Sequence, residues 1–491
     1  MQLLLIGHDY KYAAEQMLLT LFPDERPEYG GALREPYLRI RLHRAEHITS
    51  ASCAYHRDGA VYYGAARAKN ASMPDQLQTD RICQRLVKNA VYRAALRSGV
   101  ERPAWGALTG VRPGKLMAQL VEETGDENAA RKRFQADYDV SPARAALCLA
   151  TTQETLRAER SLGEKDVCLY VGIPFCPTRC AYCSFVSQSV EKSMKLIPPF
   201  LEALEREIAA TAEQVKLLGL RPVSLYMGGG TPTTLSAEQL ERLCTVLEEA
   251  FDLSALREYT VEAGRPDTIT DAKLRVLRRH GVDRVSVNPQ TMEDAVLEAI
   301  GRRHTAADVL EALEKVRAVG GFAVNMDLIA GLPGDSAAGF HRTLEKVLSL
   351  GAENVTVHTL ALKKGSRLTL DETPLPTARE VAAMLDDAAA LLTAAGYAPY
   401  YLYRQKFMSG GFENVGWQKG GTVNLYNICI MEELRSILAM GGGGSTKLIR
   451  PDEGRNIRLM APKYPLEYVE QIEKTCAEKG KIAAFYQAFW K

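Results

Sequence analysis

Between residues 166 and 360, short apolar runs alternate with longer stretches in which apolar positions recur every three or four residues. A continuous apolar run bounded by turn residues fits a strand covered on both faces, and the longer spacing fits a helix laid across such strands. The runs are Val167–Gly172, Val223–Met227, Tyr259–Glu262, Arg284–Val287, Ala323–Ile329 and Asn354–Leu360, with helical stretches such as Ile197–Leu218, Ala237–Phe251 and Ser336–Leu350 among them. Strand, loop and helix repeated in this way predict a parallel α/β sheet or barrel.

The flanking regions have other rhythms. Ahead of the barrel pattern come an apolar strand (Leu3–Ile6), a helical stretch (Ala13–Leu21) and β-like runs at Tyr37–Leu42, Ala51–Tyr55 and Ala60–Ala65, the last two turned by Asp58-Gly59. A helix follows over Asp75–Ser98, with Ile82, Leu86 and Ala90 on one face and Gly99 at its stop. Trp105–Lys115 is turn-rich and reads either as an interdomain turn or as an anion-binding loop, since Arg112 and Lys115 lie beside glycine amides. Beyond residue 365, a proline-containing link (Asp371–Pro376) leads to a helix (Ala378–Ala395) and to the alternating aromatics Tyr397, Tyr400, Tyr401 and Tyr403, a candidate strand capping the barrel. Asn427–Leu438 reads as a helical run, and Gly441–Gly444 as its stop or as a backbone nest beside Lys447. The domains expected are 1–160 (α+β with a helical linker), 161–365 (barrel) and 366–491 (α+β cap).

Composition narrows the partners. At 491 residues the chain exceeds one compact core, and 46% hydrophobic with 25% charged residues is ordinary for a globular protein. Lys+Arg 61 against Asp+Glu 60 leaves +1, so no overall field recruits nucleic acid or an anionic membrane, and small-molecule partners are expected. The start Met1–His8 has no basic region before a long apolar core, and no run approaches the ~18 apolar residues of a membrane span, so a cytoplasmic protein is expected. Seven of the 10 cysteines (Cys53, Cys83, Cys148, Cys168, Cys244, Cys429 and Cys476) are scattered singly, as buried thiols in a reducing compartment would be.

The other three, Cys176, Cys180 and Cys183, stand at a CxxxCxxC spacing straight after the first barrel strand. Three thiolates on one loop suit an iron-sulfur cubane whose fourth iron stays open to a ligand; a zinc knuckle would want a fourth Cys or His close by, and none follows in the next stretch. Barrels of this kind carry their reactive residues on loops at the carboxyl ends of strands. Gly228-Gly229-Gly230-Thr231-Pro232 follows the second strand, Glu262 closes the third, Gln290 the fourth, and Asp327 lies in the fifth. Taken alone, the two carboxylates are either ligand contacts or buried groups satisfied by backbone.

With Tyr182 inside the motif and the lead-in Tyr170-Val-Gly-Ile-Pro-Phe175, the loop resembles the radical S-adenosylmethionine superfamily, and more narrowly its coproporphyrinogen dehydrogenase group. The resemblance implies a partial (β/α)6 TIM-like barrel and a [4Fe-4S] cluster whose open iron is chelated by S-adenosylmethionine. Electron transfer from the cluster would split the sulfonium to a 5'-deoxyadenosyl radical. Carried over by position, Tyr170, Tyr182, Gly229, Gly230, Thr231, Glu262, Gln290, Arg302 and Asp327 contact S-adenosylmethionine, with Ala361 adding a backbone contact. Departures from the best-known members are Ser184-Phe185 in place of a fourth cysteine, Ala263-Gly264-Arg265-Pro266 in place of an Asn-Pro or Asp-Pro turn after Glu262, and Asn288-Pro289 before Gln290. Together with the N-terminal α+β domain these resemble the HemZ-type branch. The implied reaction converts two propionates of coproporphyrinogen III to vinyl groups, with a low-potential electron donor and an electron acceptor as partners. A substrate with four propionates calls for cations, and Arg404, Lys447, Arg112 and Lys115 are the candidates. The alternatives are a heme chaperone and a radical enzyme acting on RNA, against which the near-zero charge weighs.

Overall fold

The computed structural model describes residues 1–73, 75–183, 188–189, 193–361, 374–405, 411–450 and 455–489. Ser184-Phe185 and the start of the Asp371–Pro376 link lie outside them. The chain divides into two compact units, Met1–Leu149 with Arg404–Phe412, and Ala150–Tyr403 with Glu413–Lys491.

In the first unit β1 (Gln2–Ile6), β2 (Tyr37–Arg44), β3 (Ile48–Arg57) and β4 (Ala60–Lys69) form one sheet in chain order. β1 runs parallel to β2, and the other two pairs are antiparallel. The β3–β4 hairpin turns on Asp58 and Gly59, both at positive φ, the backbone that matches the twist of paired strands. Leu38, Ile40 and Tyr55 of the sheet pack on Met17 and Leu18 of the helix Lys11–Leu21 and on Leu86, Val87 and Val91 of the helix Gln76–Arg97. Asp75 caps that second helix by accepting from the Gln78 amide. Trp105–Lys115 is not all loop, because Pro113 opens the helix Pro113–Thr124.

The second unit contains the parallel strands expected of a barrel. β5 (Asp166–Ile173) leads through the short β6 (Phe175–Cys176) and β7 (Gln188–Ser189) to β8 (Arg221–Gly229), β9 (Glu258–Glu262), β10 (Arg284–Ser286), β11 (Ala323–Ala330) and β12 (Asn354–Thr359). Strands β5, β8, β9, β10, β11 and β12 are neighbours in that order and all parallel, with β5 and β8 to β12 forming a partial TIM-like barrel with helices outside. β10 is short because Asn288-Pro289 interrupts its pairing.

The C-terminal region extends the same sheet. β13 (Ala398–Arg404) and β14 (Glu413–Gln418) border β12, while β15 (Ile437–Gly441), β16 (Ser445–Arg450) and β17 (Arg455–Met460) border β5. The aromatic run 397–403 is the strand expected, with Tyr400 and Tyr401 buried. The helical reading of Asn427–Leu438 needs correction. The helix is Leu425–Glu432, Glu433 stops it in the left-handed conformation, and Ile437–Gly441 is a strand paired parallel to β5. Five consecutive buried residues fit either element by pattern; partnership with β5 makes them a strand. No helix among the described residues is long and apolar enough to cross a membrane.

Candidate cluster and cofactor site

The cysteine loop is pinned to the ends of several strands. After β5, the Gly230 amide donates to Ile173 O and the Thr231 amide to Phe175 O, each at 2.7 Å. A Cβ on Gly230 would stand 2.5 Å from Phe175 O, so only glycine lets the turn after β8 lie against the loop. Cys176 Sγ lies 3.4 Å from Thr231 Oγ1. Further on, the Ala181 amide donates to Ile300 O at 2.9 Å, and Tyr182 packs among Ile300, Ile329 and Leu332. The Tyr182 hydroxyl accepts from Arg302 Nη2 at 3.1 Å. Arg302 also donates to Asn288 O (2.8 Å) and Gly264 O (3.3 Å), so one guanidinium joins the loop to the ends of β9 and β10. Burial opposes its charge, but Tyr182 and Cys180 beside it outweigh that and hold it firmly protonated.

The three cysteines are unbridged and partly exposed, whereas six of the other seven are buried, and the residues around them fit a cluster. Cys180 Sγ already accepts from a guanidinium, Arg265 Nη1 at 3.5 Å, a partner suited to a thiolate. Among the described residues no three His, Cys, Asp or Glu side chains converge on a single ion. A cubane needs no such convergence, since each thiolate takes a different iron.

At the mouth of the barrel two carboxylates have been driven apart. Glu262 accepts from the Tyr226 hydroxyl at 2.5 Å. Burial pushes its pKa up to about 7, with Tyr226 opposing and the nearby Asp327 charge reinforcing the rise. Burial would raise Asp327 too, but the nearby His358 imidazole, a hydrogen bond from Asn325 and the neighbouring Thr356 hydroxyl outweigh it and hold that carboxyl below its usual range. Asn325 Nδ2 stands 2.8 Å and His358 Nε2 3.9 Å from it. Gln290 crosses to the same strand: its amide donates to Asp327 O at 2.9 Å and its carbonyl accepts from the Ile329 amide at 3.0 Å. It does so at φ 68, a left-handed conformation that a glutamine adopts only under constraint. Below them the barrel interior is closed by Tyr426 of the helix Leu425–Glu432, stacked on Tyr226 (centroids 4.4 Å apart) and on Tyr170 (6.0 Å).

Tyr170, Tyr182, Gly229, Gly230, Thr231, Glu262, Gln290, Arg302 and Asp327 thus come from β5, from β8 to β11 and from the loops at their carboxyl ends, and Ala361 follows the end of β12 as a single bridged residue. Of the four substrate cations, two have partners inside the fold. Arg404 belongs to the first unit, where it donates to Leu108 O (2.6 Å) and Gly411 O (2.8 Å) and lies 5.0 Å over the buried Trp105 ring. Lys447 is buried against Glu433 (2.9 Å) and Ile430 O (3.2 Å). Arg112 and Lys115 stand at the start of the helix Pro113–Thr124 in the first unit, Lys115 exposed. At Gly441, a Cβ would sit 2.2 Å from Gly172 O, so that glycine serves the contact of β15 with β5. Arg265, Asn288, Tyr226 and His358 were not anticipated. Each is a polar residue at or near the carboxyl end of a strand, the same signal that singled out Glu262.

Comparison with known proteins follows the same line. The model of the Radical SAM superfamily matches residues 170–347. The oxygen-independent coproporphyrinogen-III oxidase-like protein HemZ of Bacillus subtilis (strain 168) is 39% identical over 418 residues, 83% of this chain and 83% of that protein. The heme chaperone HemW of the same organism is 36% identical over 195 residues, 40% of this chain and 50% of HemW. The oxygen-independent coproporphyrinogen III oxidase of Escherichia coli (strain K12) is 31% identical over 249 residues, 50% of this chain and 53% of that enzyme. In fold, the chain is similar to the solved structure of coproporphyrinogen III oxidase (HemN) from Escherichia coli, described as a radical SAM enzyme, with a TM-score of 0.51 and 24% identity over 66% of this chain and 73% of that one.

Proposed function

Since the chain belongs to the family of HemZ-like radical S-adenosylmethionine proteins, whose cofactors are a [4Fe-4S] cluster and S-adenosylmethionine, we propose that it is a coproporphyrinogen dehydrogenase that works without oxygen. The reaction converts two propionates of coproporphyrinogen III to vinyl groups and gives protoporphyrinogen IX. The observation that carries this reading is the cysteine loop bonded to the same strand ends that present the split pair Glu262 and Asp327.

Cys176, Cys180 and Cys183 would hold the cluster, and the Gly229–Thr231 turn, Glu262, Gln290, Arg302 and Asp327 would hold S-adenosylmethionine, with Tyr170, Tyr182 and the Ala361 backbone beside them. When bound, the two cofactors supply the homolytic chemistry that takes a hydrogen atom from an unactivated C–H bond. Each propionate then loses that hydrogen atom, carbon dioxide and one electron to become a vinyl group, so a low-potential donor and a separate electron acceptor are both required. No side-chain general base is needed. The chain's part is to position and to exclude water: the Tyr170–Tyr226–Tyr426 stack closes the barrel below the site, and Asn325 and His358 keep Asp327 ionised and oriented. A cationic ligand beside Glu262 would draw its proton off near neutrality, coupling binding to that carboxyl.

The test is an anaerobic assay of the cluster-reconstituted protein with reduced coproporphyrinogen. Carbon dioxide and protoporphyrinogen formed in step with 5'-deoxyadenosine are expected. Stoichiometric heme binding without decarboxylated product, under conditions where S-adenosylmethionine is cleaved, would overturn the reading in favour of a chaperone like HemW.

A further inference from the structure

Arg265 occupies the Gly264-Arg265-Pro266 turn after β9, and its backbone is pinned by the Thr268 amide and hydroxyl, which donate to Arg265 O at 3.0 and 2.8 Å. Its side chain, 4% exposed, fans into the cysteine loop. Nη1 reaches Cys180 Sγ at 3.5 Å, Nη2 reaches Thr178 Oγ1 at 2.9 Å, and Nε reaches Asp267 Oδ1 at 3.3 Å. A guanidinium this buried needs compensating charge. Asp267, about a third exposed, meets one edge only, and the remaining donors face the loop. His304, also buried, has no hydrogen-bond partner for either ring nitrogen among the described residues, and burial followed by the nearby Arg302 and Arg265 keep it neutral, so it adds no positive charge. Arg302, donating to the Tyr182 hydroxyl, is a second guanidinium held against the cysteine loop.

We propose that Arg265 is a positioning residue for the cluster's redox poise: by donating to the Cys180 thiolate it raises the reduction potential of the iron-sulfur cluster and so eases its one-electron reduction. Three thiolates make the cluster net negative, and reduction adds further negative charge, so a donor and cation at a ligand sulfur stabilises the reduced state more than the oxidised one. Hydrogen bonds to the sulfurs and local charge are the protein's main means of setting such potentials. The proposal rests on Cys180 being a cluster ligand.

The experiment is an anaerobic redox titration of the reconstituted holoprotein, followed by electron paramagnetic resonance without S-adenosylmethionine. In Arg265→Met the reduced-to-oxidised ratio at a fixed potential is expected to fall about tenfold, which for one electron is ~59 mV. Arg265→Lys, which keeps the charge, should recover most of that shift. Asp267→Asn should move the potential upward, because it leaves the Arg265 charge uncompensated. A purely structural role predicts no such opposed pair. Unchanged midpoints in both Arg265→Met and Asp267→Asn, with full cluster content, would overturn the proposal; if Arg265→Met fails to hold a cluster, the Asp267→Asn midpoint decides, a rise supporting it and no change overturning it. Cys180→Ala separates the two levels. Loss of the cluster there beside unchanged Arg265→Met and Asp267→Asn midpoints leaves the ligand assignment standing and removes only the tuning role, whereas full cluster content in Cys180→Ala overturns both.

Discussion

Strand β9 carries a glutamate at each end, and the two have opposite fates. Glu258, at the amino end, is buried and meets four donors: the Ser224 hydroxyl (2.8 Å), Arg284 Nη1 (3.0 Å) and the amides of Leu425 (2.7 Å) and Tyr426 (2.6 Å). Its carboxylate seats the helix Leu425–Glu432 by that helix's own amino terminus and fastens the C-terminal region to the barrel floor. Glu262, at the carboxyl end, is held by the Tyr226 hydroxyl and the Gly229 amide, forms no ion pair among the described residues, and its pKa climbs to about 7. A carboxylate whose oxygens are saturated by the fold is part of the scaffold. One left short of donors at a barrel mouth is available to a ligand.

The largest effect belongs to the cysteines that define the open end. Replacing any one of Cys176, Cys180 or Cys183 by Ala should abolish the cluster's visible absorption and 5'-deoxyadenosine formation, whereas Cys168→Ala, within β5, should keep both; a full cluster in Cys183→Ala would show that the open end is built otherwise. At the closed end, Glu258→Ala leaves Arg284 buried without its counter-charge and should cost about 3–5 kcal/mol in chemical denaturation. A loss under about 1 kcal/mol, no more than an ordinary hydrogen bond contributes, would erase the contrast between the two glutamates.

pH sharpens the comparison without touching the closed end. Because the folded pKa of Glu262 is raised from its ordinary 4.5 to about 7, the native state holds a proton that the unfolded chain has released between those values. Stability from this group is therefore full below about 4.5 and lost as pH rises through about 7, by at most ~3 kcal/mol and less where solvent reaches it. Glu262→Gln should flatten that slope in a series of melting curves without S-adenosylmethionine, and an unaltered slope would mean that Glu262 is not the titrating group. The smallest change expected is in affinity. Glu262→Gln and Asp327→Asn should melt near the parent at neutral pH and retain the cluster while S-adenosylmethionine binding weakens about tenfold, as losing a charge-assisted hydrogen bond would do. Collapsed melting temperatures with unchanged affinity would class both with Glu258.

Much of this was legible in the chain alone. Six strands and the main barrel helices were readable because burial on two faces writes a continuous apolar run and burial on one face writes a 3.6-residue repeat, both local signals. The cysteine spacing and the polar residues at strand ends were readable for the same reason: Gly229, Glu262, Gln290 and Asp327 interrupt patterns that are otherwise apolar. Tertiary structure alone decided which charges are spent inside the fold. Arg404 and Lys447 look like Arg302 in sequence, yet Trp105 and Glu433 claim the first two from far away in the chain or across a turn, while Arg302 meets the cysteine loop. It also decided that 437–441 is a strand, since β5 beside it supplies the ladder, and that Arg265 reaches Cys180 across 85 residues. A side chain's charge is written in the sequence, but its partner, and so its role, depends on which distant atoms the fold sets within a few ångströms of it.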